Sequence, residues 1–156
     1  MCGIVGIISN QSVTKRILTS LKRLEYRGYD SAGISAIKNR KIERCRAAGK
    51  LSNLERALVK QPISGSIGIG HTRWATHGVP SIENAHPHVS GQVAVVHNGI
   101  IENYQQLKEE LANDDIKMQT ETDTEVVAHL ANAYLKAGMQ PKDMMEALLS
   151  KIQGAF

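Results

Sequence analysis

Cys2 is the residue of this sequence with the clearest potential for covalent chemistry, because only Met1 precedes it. If the methionine is removed, Cys2 carries a free α-amine beside its thiol, so one residue supplies both a nucleophile and a base. An α-amine ordinarily has a pKa of about 7.7–8.0, so part of it is unprotonated near neutral pH. The alternative interpretation is structural, with Cys2 as a small apolar side chain at the start of a buried strand.

Arg73 lies in the segment HTRWATHG at 71–78, which concentrates a guanidinium, two hydroxyls, an indole and two imidazoles after an apolar strand. Functional groups are commonly presented on loops of this kind. A guanidinium binds a carboxylate through two parallel hydrogen bonds, so Arg73 is a candidate carboxylate clamp. A solvated surface charge is equally consistent with the sequence.

Asn98, Gly99 and Asp123 are further candidates, each with two interpretations. Asn98-Gly99 follows the apolar segment QVAVVH and is typical of a turn. The same pair also suits an oxyanion hole, since a carboxamide N–H and a neighbouring backbone N–H can converge on one developing negative charge. Asp123 is placed either to cap the helix that follows it or to face an ammonium group of a ligand.

The histidines and cysteines do not predict a metal site. The chain has six histidines and two cysteines, but the cysteines lie far apart and no His-Glu-x-x-His occurs. We therefore expect no metal and no cofactor. His97 and His129 are interpreted as core histidines with satisfied hydrogen bonds, and Cys45 as a structural cysteine.

Both β-strands and α-helices are predicted to position these residues, and the polar motifs lie at strand ends and in loops. The apolar patterns predict strands at 2–8, 31–38, 41–47, 67–74 and 92–97 and helices at 12–26, 51–58, 101–111, 123–136 and 141–152.

Composition and charge exclude several classes of protein. The chain has 156 residues, 42% of them hydrophobic, and a net charge of +4 that is scattered among acidic residues, so no nucleic-acid footprint is predicted. No apolar stretch approaches eighteen residues, and the first residues do not resemble a secretory signal. We therefore expect a cytoplasmic protein with no membrane contact and with reduced thiols.

The sequence ends on Gly154-Ala155-Phe156, where a glycine after a helix leads into apolar residues. This pattern is typical of the start of a new strand, so we expect residues 1–156 to be one domain that is incomplete at its C-terminus. Uncovered apolar faces and strand edges then predict self-association.

Six motifs together resemble the N-terminal-nucleophile glutamine amidotransferases of the glucosamine-6-phosphate synthase family. They are MCGIVGII at 1–8, RLEYRGYDSAG at 23–33, HTRWATHG at 71–78, NAHPH at 84–88, HNGIIENY at 97–104 and ETDTE at 121–125. The resemblance covers essentially the whole chain.

The resemblance implies an α+β fold in four layers, αββα, in which two antiparallel sheets pack face to face between helices. It also implies a role for each matching residue. Cys2 attacks the side-chain amide of glutamine, with its own α-amine as the base, and Asn98 and Gly99 form the oxyanion hole. Arg73 and Asp123 bind the α-carboxylate and α-ammonium of glutamine.

The resemblance places four more residues at the site. Thr76 and His77 lie in the glutamine-binding loop, Trp74 resembles a residue that gates the passage of ammonia, and Arg27 lies beside the nucleophile. The family pairs this domain with sugar-phosphate isomerase domains that convert fructose 6-phosphate to glucosamine 6-phosphate, and none of their sequence is present. The alternative to a glutaminase is a catalytically silent fragment with a structural or association role only.

Overall fold

A computed structural model describes residues 2–28, 30–74 and 78–156 of the chain. Over these residues the strands are β1 Gly3–Ile8, β2 Ser31–Lys38, β3 Lys41–Ala48, β4 Ile67–Arg73, β5 His88–Ser90, β6 Val93–Val95, β7 Ile100–Ile101 and β8 Gly154–Ala155. The helices are α1 Thr14–Leu24, α2 Leu51–Lys60, α3 Tyr104–Asn113, α4 Thr124–Lys136 and α5 Pro141–Lys151, with a short 3-10 helix at Glu25–Arg27.

The first four strands form an antiparallel sheet in the order β1-β4-β2-β3. β2 and β3 are joined by a two-residue turn at Asn39 and Arg40, both with positive φ, as a tight hairpin requires. In the register of β1 with β4, Gly3 lies opposite Thr72. The start of β1 and the end of β4 therefore meet at one end of the sheet.

Helices α1 and α2 cover one face of this sheet, and the core between them includes Ile17, Leu21, Ile34 and Leu54, all fully buried. Close packing depends on a glycine of β4, because a Cβ on Gly70 would lie 2.4 Å from Cγ2 of Ile17. The amphipathic patterns of α1 and α2 thus have the expected result, since each helix packs its apolar face against the sheet.

The opposite face of the sheet carries a second strand layer, made of the pairs β5-β6 and β7-β8, and helices α3 to α5 lie outside it. A second apolar core joins these helices through Leu107, Leu111, Val126 and Leu130. The order helix, sheet, sheet, helix confirms the predicted four-layer arrangement.

The segment 84–88 lies directly against β2 in the space between the layers. A Cβ on Gly33 would lie 2.2 Å from the carbonyl oxygen of His86, so only glycine permits this approach. Arg46 donates hydrogen bonds to the carbonyls of Glu83 and Ala85, at 2.7 and 2.9 Å, and these hold the segment in place.

Most predicted elements are confirmed within one to three residues at their ends, but the helix predicted at 101–111 is wrong at its start. Ile100–Ile101 instead forms β7, because it pairs with Gly154–Ala155, and the helix begins at Tyr104. The three-residue strand β5 was not predicted. In the described part of the chain, no helix combines the length and the apolar character needed to cross a membrane.

Candidate active site

Cys2 lies immediately before β1 and beside Trp74, which follows β4, because these two strands are neighbours in the sheet. The backbone N–H of Trp74 donates a hydrogen bond to Sγ of Cys2 at 3.2 Å. The next residue is fixed as well, since the N–H of Gly3 donates to Oγ1 of Thr72 at 3.2 Å. The sheet therefore holds the thiol in a defined position at the end of two strands.

A cavity of about 380 Å³ opens at this end of the sheet, which is within the usual range for small-molecule sites. The residues that line it are Cys2, Arg27, His71, Arg73, Trp74, His86, His97, Asn98, Gly99, Ile100, Thr122, Asp123 and Thr124. Seven of the predicted site residues are in this set, so the structure brings them together around one space.

Arg73 is 4% exposed, so the interpretation as a solvated surface charge is wrong. Arg73 is the final residue of β4, and its Nη2 donates a hydrogen bond to the carbonyl oxygen of Gly78 at 3.3 Å. A buried guanidinium at the edge of a cavity is suited to bind an anionic group, because burial strengthens the attraction between the charges.

Asn98 lines the cavity and is hydrogen-bonded to Cys2 and His71. Its Nδ2 donates to the carbonyl oxygen of Cys2 at 3.2 Å, and its Oδ1 lies 2.9 Å from Nε2 of His71. Gly99 has φ +151°, and a Cβ there would lie 1.8 Å from the carbonyl oxygen of Ala155. Only glycine can therefore occupy position 99, and the turn at this position places Asn98 and Gly99 in the cavity wall.

Asp123 is 7% exposed and lines the same cavity as Arg73. It does not cap α4, as one interpretation predicted, because its side chain makes no capping hydrogen bond there. Its Oδ2 instead accepts a hydrogen bond of 2.7 Å from the N–H of Ile101. A cavity with a buried cation and a buried carboxylate can bind a ligand that carries both charges.

His71, His86 and His88 form a buried histidine cluster behind the cavity, with ring centroids 4.3 and 4.5 Å apart along the series. Burial lowers the pKa of His71 to about 4, against hydrogen bonds with Asn98 and the backbone of His97 that raise it. Burial also lowers the pKa of His88 to about 3, and that of His86 well below its usual range. The cluster is therefore uncharged at neutral pH.

His97 and His129, the two histidines predicted to lie in the core, differ from each other. His129 has hydrogen bonds on both nitrogens, with Ser90 Oγ at 2.9 Å and Glu125 Oε1 at 3.3 Å, which confirms its interpretation as satisfied. His97 also has partners on both nitrogens, Thr124 Oγ1 at 3.1 Å and the carbonyl of Ala155 at 3.4 Å, but it lines the cavity. Its interpretation as a core residue is therefore wrong in part.

Glu125 anchors the loop that leads to Asp123. Its carboxylate accepts hydrogen bonds from the N–H groups of Gln119, at 2.9 Å, and Thr120, at 2.7 Å. Burial alone would raise the pKa of Glu125, but the hydrogen bonds from His129, Gln119 and Thr120 lower it to about 2. Over residues 2–28, 30–74 and 78–156, no group of three or more histidine, cysteine or acidic side chains is arranged to hold a metal ion.

Thr76, His77 and Met1 lie outside the described residues. Trp74 is 47% exposed at the rim of the cavity, and Arg27 lines its wall. Sequence reasoning missed His71 and His86 as lining residues, although both belong to motifs that carry the resemblance. Cys45 is 4% exposed in the core, as predicted, and burial raises the pKa of its thiol.

Residues 71–156 match the model of the glutamine amidotransferase domain family. The chain is 57% identical over all 156 residues to a glutamine–fructose-6-phosphate aminotransferase (isomerizing) of Rhizobium meliloti strain 1021. It is 54% identical over the same length to the protein of that name from Zymomonas mobilis. The chain spans 26% of the length of each of these relatives.

Two solved structures have the same fold. The glutamine phosphoribosylpyrophosphate amidotransferase of B. subtilis, in complex with ADP and GMP, superposes with a TM-score of 0.81 at 30% identity, over 99% of this chain and 34% of that one. A structure described as the allosteric regulatory enzyme of purine biosynthesis gives a TM-score of 0.83 at 31% identity, over the same shares. By sequence match and fold, the chain belongs to the glutamine amidotransferase domain family.

Proposed function

We propose that this chain hydrolyses the side-chain amide of glutamine to glutamate and ammonia, with Cys2 as the nucleophile. The observation that carries the proposal is the position of the Cys2 thiol in a cavity shared with Asn98, Arg73 and Asp123. The cavity thus combines a nucleophile, a hydrogen-bond donor and two opposite charges.

Arg73 and Asp123 are proposed to select a free amino acid. The α-carboxylate of glutamine pairs with the Arg73 guanidinium, and its α-ammonium pairs with the Asp123 carboxylate. Both side chains are buried, which supports the proposal because a buried charge is stabilised by a partner of opposite sign. A glutamine within a peptide carries neither of these terminal charges and would make neither ion pair.

The reaction then proceeds through two acyl-transfer steps. Sγ of Cys2 attacks the side-chain amide carbon, and the thiol proton passes to the α-amine of the same residue after removal of Met1. The carbonyl oxygen becomes an oxyanion, which the Asn98 Nδ2 and the Gly99 N–H stabilise. The C–N bond breaks, and the nitrogen leaves as ammonia with that proton. Water then adds to the thioester, which releases glutamate and restores the thiol.

Four residues complete the proposed site. Thr76 and His77 are proposed to contact bound glutamine. Trp74 is proposed to gate the passage of ammonia, and its exposed position at the cavity rim supports this role. Arg27 is proposed to lie beside the nucleophile, in agreement with its place in the cavity wall.

The relatives support a wider proposal for a longer protein. We propose that the ammonia aminates fructose 6-phosphate to give glucosamine 6-phosphate, in a cytoplasmic protein that adds sugar-phosphate isomerase domains to this domain. The support is the name of the relatives, in which the segment that matches this chain occupies 26% of the length. Ammonia formed at one domain is then consumed at another.

We further propose that the chain associates with itself. The support is an apolar groove lined in part by Ile4, Met145, Leu149 and Phe156, whose side chains are 40 to 55% exposed. Exposed apolar surface of this kind favours association. Sedimentation velocity at increasing concentration tests this proposal, since a monomer at every concentration would contradict it.

Ammonia release from glutamine tests the proposed function. The wild-type chain should release ammonia and glutamate in equal amounts, and Cys2→Ser should lower the rate to that of the uncatalysed background. Cys45→Ala is the matched control, because Cys45 is buried in the core and does not line the cavity. Full turnover in Cys2→Ser would exclude Cys2 as the nucleophile, and a silent wild-type chain that begins at Cys2 would favour a structural role.

A further inference from the structure

From its contacts we infer that His71 is a positioning residue, which holds the Asn98 carboxamide with its NH2 group toward Cys2 and so keeps the oxyanion hole supplied with a donor. The inference rests on the proposed roles of Cys2 and Asn98. His71 itself does not touch the reacting atoms in this scheme. It acts through Asn98 alone.

A carboxamide needs such a partner because its two ends are nearly equal in shape and opposite in hydrogen-bonding character. With Nδ2 toward Cys2, Asn98 donates to the Cys2 carbonyl at 3.2 Å. After a rotation of 180° about the last side-chain bond, Oδ1 would take that place. A carbonyl oxygen there would repel the oxyanion that forms on the substrate, so the orientation of Asn98 decides whether the hole stabilises or opposes the reaction.

The contacts at both ends of the Asn98 carboxamide agree on one of these two orientations, because the Cys2 carbonyl oxygen can only accept and therefore faces Nδ2. Nε2 of His71 lies 2.9 Å from Oδ1 of Asn98. An oxygen that only accepts requires a nitrogen that donates, so Nε2 must carry the proton and Nδ1 must be the unprotonated nitrogen. Within the described residues Nδ1 of His71 has no hydrogen-bond partner, so nothing there competes for the proton.

The position of His71 in the fold makes this contact rigid. The residue lies inside β4, with Ile4 of β1 on one side and Gly33 of β2 on the other. Its side chain is fully buried, and its ring packs 4.3 Å from that of His86. The backbone of His71 is therefore held between two strands, and close packing around its buried ring restricts the ring's rotation, so the ring is the more fixed partner of the contact with Asn98.

The neutral state of the ring also serves this role. Because burial lowers the pKa of His71 to about 4, the ring carries a single N–H at neutral pH. A donor without a charge orients the carboxamide and adds no cation beside the thiol.

The first test is the tautomer of His71 in the wild-type chain, measured by 15N NMR of a sample labelled in its histidine rings. The resonance of His71 is assigned in the wild-type chain by through-bond correlations from its ring to its backbone, after uniform labelling with 13C and 15N. We predict the neutral tautomer with the proton on Nε2 at pH 7. The tautomer with the proton on Nδ1 would overturn the inference, because Asn98 would then present its oxygen to Cys2. This measurement needs no turnover, so it decides the inference even if a variant fails to fold.

The second test separates positioning from general damage by comparing His71→Leu with His71→Gln. Leucine removes the donor, and we expect kcat for glutamine to fall by about 10²-fold, the loss typical of one oxyanion-hole donor, with KM changed less than about 3-fold. Glutamine at position 71 retains an amide donor and should recover most of kcat. His129→Gln is the matched control, because His129 is a largely buried histidine that does not line the cavity.

An aldehyde analogue of glutamine gives an independent measure, because its adduct with Cys2 carries a tetrahedral oxygen like that of the reaction. Its affinity should fall in His71→Leu by the same factor as kcat, and the affinity for glutamate should not change. Equal losses for both ligands would indicate a structural role and overturn the inference. If turnover depends on Cys2 but His71→Leu keeps the wild-type kcat, the inference fails alone. If Cys2→Ala still turns over, the proposed function fails instead.

Discussion

The carboxylate of Asp123 accepts a hydrogen bond of 2.7 Å from the backbone N–H of Ile101. Ile101 is two residues after Gly99, so this bond ties the proposed ammonium-binding group to the turn that carries the proposed oxyanion hole. The second oxygen, Oδ1, is bonded only weakly by Thr124 Oγ1, at 3.4 Å. In Asp123, Oδ2 therefore makes a structural contact, and Oδ1 is available beside the cavity for a ligand.

Asp123→Asn and Asp123→Ala should have different kinetic effects because of this division. Asparagine keeps an oxygen for the Ile101 N–H and loses the charge, so we expect KM for glutamine to rise about 10- to 100-fold with little change in kcat. Alanine also releases the turn, so kcat should fall as well. Steady-state kinetics of ammonia release measure both parameters.

Glutaramic acid, which is glutamine without its α-amine, is the control substrate for this prediction. The wild-type chain should use it poorly, and Asp123→Asn should use it no worse than the wild type does. An equal loss on both substrates would contradict the assignment of Asp123 to the ammonium group.

Arg73→Lys should weaken glutamine binding although it preserves the positive charge. Lysine cannot form the two parallel hydrogen bonds that a guanidinium makes with a carboxylate, so we expect KM to rise at least about 10-fold. The control substrate is 4-aminobutanamide, which lacks the α-carboxylate and on which the variant and the wild type should be equal. A KM for glutamine unchanged by the substitution would contradict the clamp.

Gly99→Ala should destabilise the chain more than Gly138→Ala, although both glycines have positive φ. The Gly138 position, at φ +90°, has nothing within 4 Å of an added Cβ, so only backbone strain of about 1–3 kcal/mol applies. At Gly99 the added Cβ also meets the carbonyl oxygen of Ala155 at 1.8 Å. Urea unfolding should show the larger loss for Gly99→Ala, together with lost activity, whereas Gly138→Ala should keep its activity. Equal losses would mean that the turn at Gly99 relaxes freely.

Stability should fall between pH 7.5 and pH 5 because of the histidine cluster. The pKa of His71 is lowered to about 4 and that of His88 to about 3, so in this range the unfolded chain binds protons that the folded chain does not. Their stabilisation is complete above the unfolded pKa near 6.5 and is lost as the pH falls toward the folded values. At pH 5 the loss is about 2 kcal/mol for each of these histidines.

Urea unfolding at pH 7.5, 6.5, 5.5 and 5.0 measures this loss directly. His88→Gln removes one titrating group and retains an amide that can pair with Thr122, so the decrease across the range should shrink by about 2 kcal/mol. Glu125 does not contribute in this window, since its pKa is lowered to about 2 and its stabilisation is lost only in more acidic solution. A stability independent of pH from 7.5 to 5 would contradict the neutral buried cluster.

Elements formed by local interactions could be predicted from the sequence. The apolar spacing of α1 and the turn residues of the β2–β3 hairpin act within a few residues of each other, so their patterns are visible in the chain. The start of the helix after Gly99 could not be predicted, because Ile100–Ile101 forms a strand only through pairing with residues more than 50 positions away. Tertiary pairing decides such short apolar segments.

The site residues could be named from motifs, but their geometry depends on contacts across the fold. The approach of Cys2 to Trp74 follows from the pairing of β1 with β4, which are separated by about 70 positions. His71 lay inside a predicted strand, where a histidine is ordinarily a core residue, and its contact with Asn98 spans 27 positions. The residue pattern of a single segment cannot predict a contact between two segments that lie so far apart in the sequence.

The most direct measurement is the intact mass of the chain before and after exposure to a diazoketone analogue of glutamine, followed by peptide mapping. We predict a starting mass without Met1 and then a single adduct, located on Cys2 and prevented by an excess of glutamine. A chain that begins at Cys2 and forms no adduct, or forms one on Cys45 that glutamine does not prevent, would contradict the assignment of Cys2 as the glutamine-directed nucleophile.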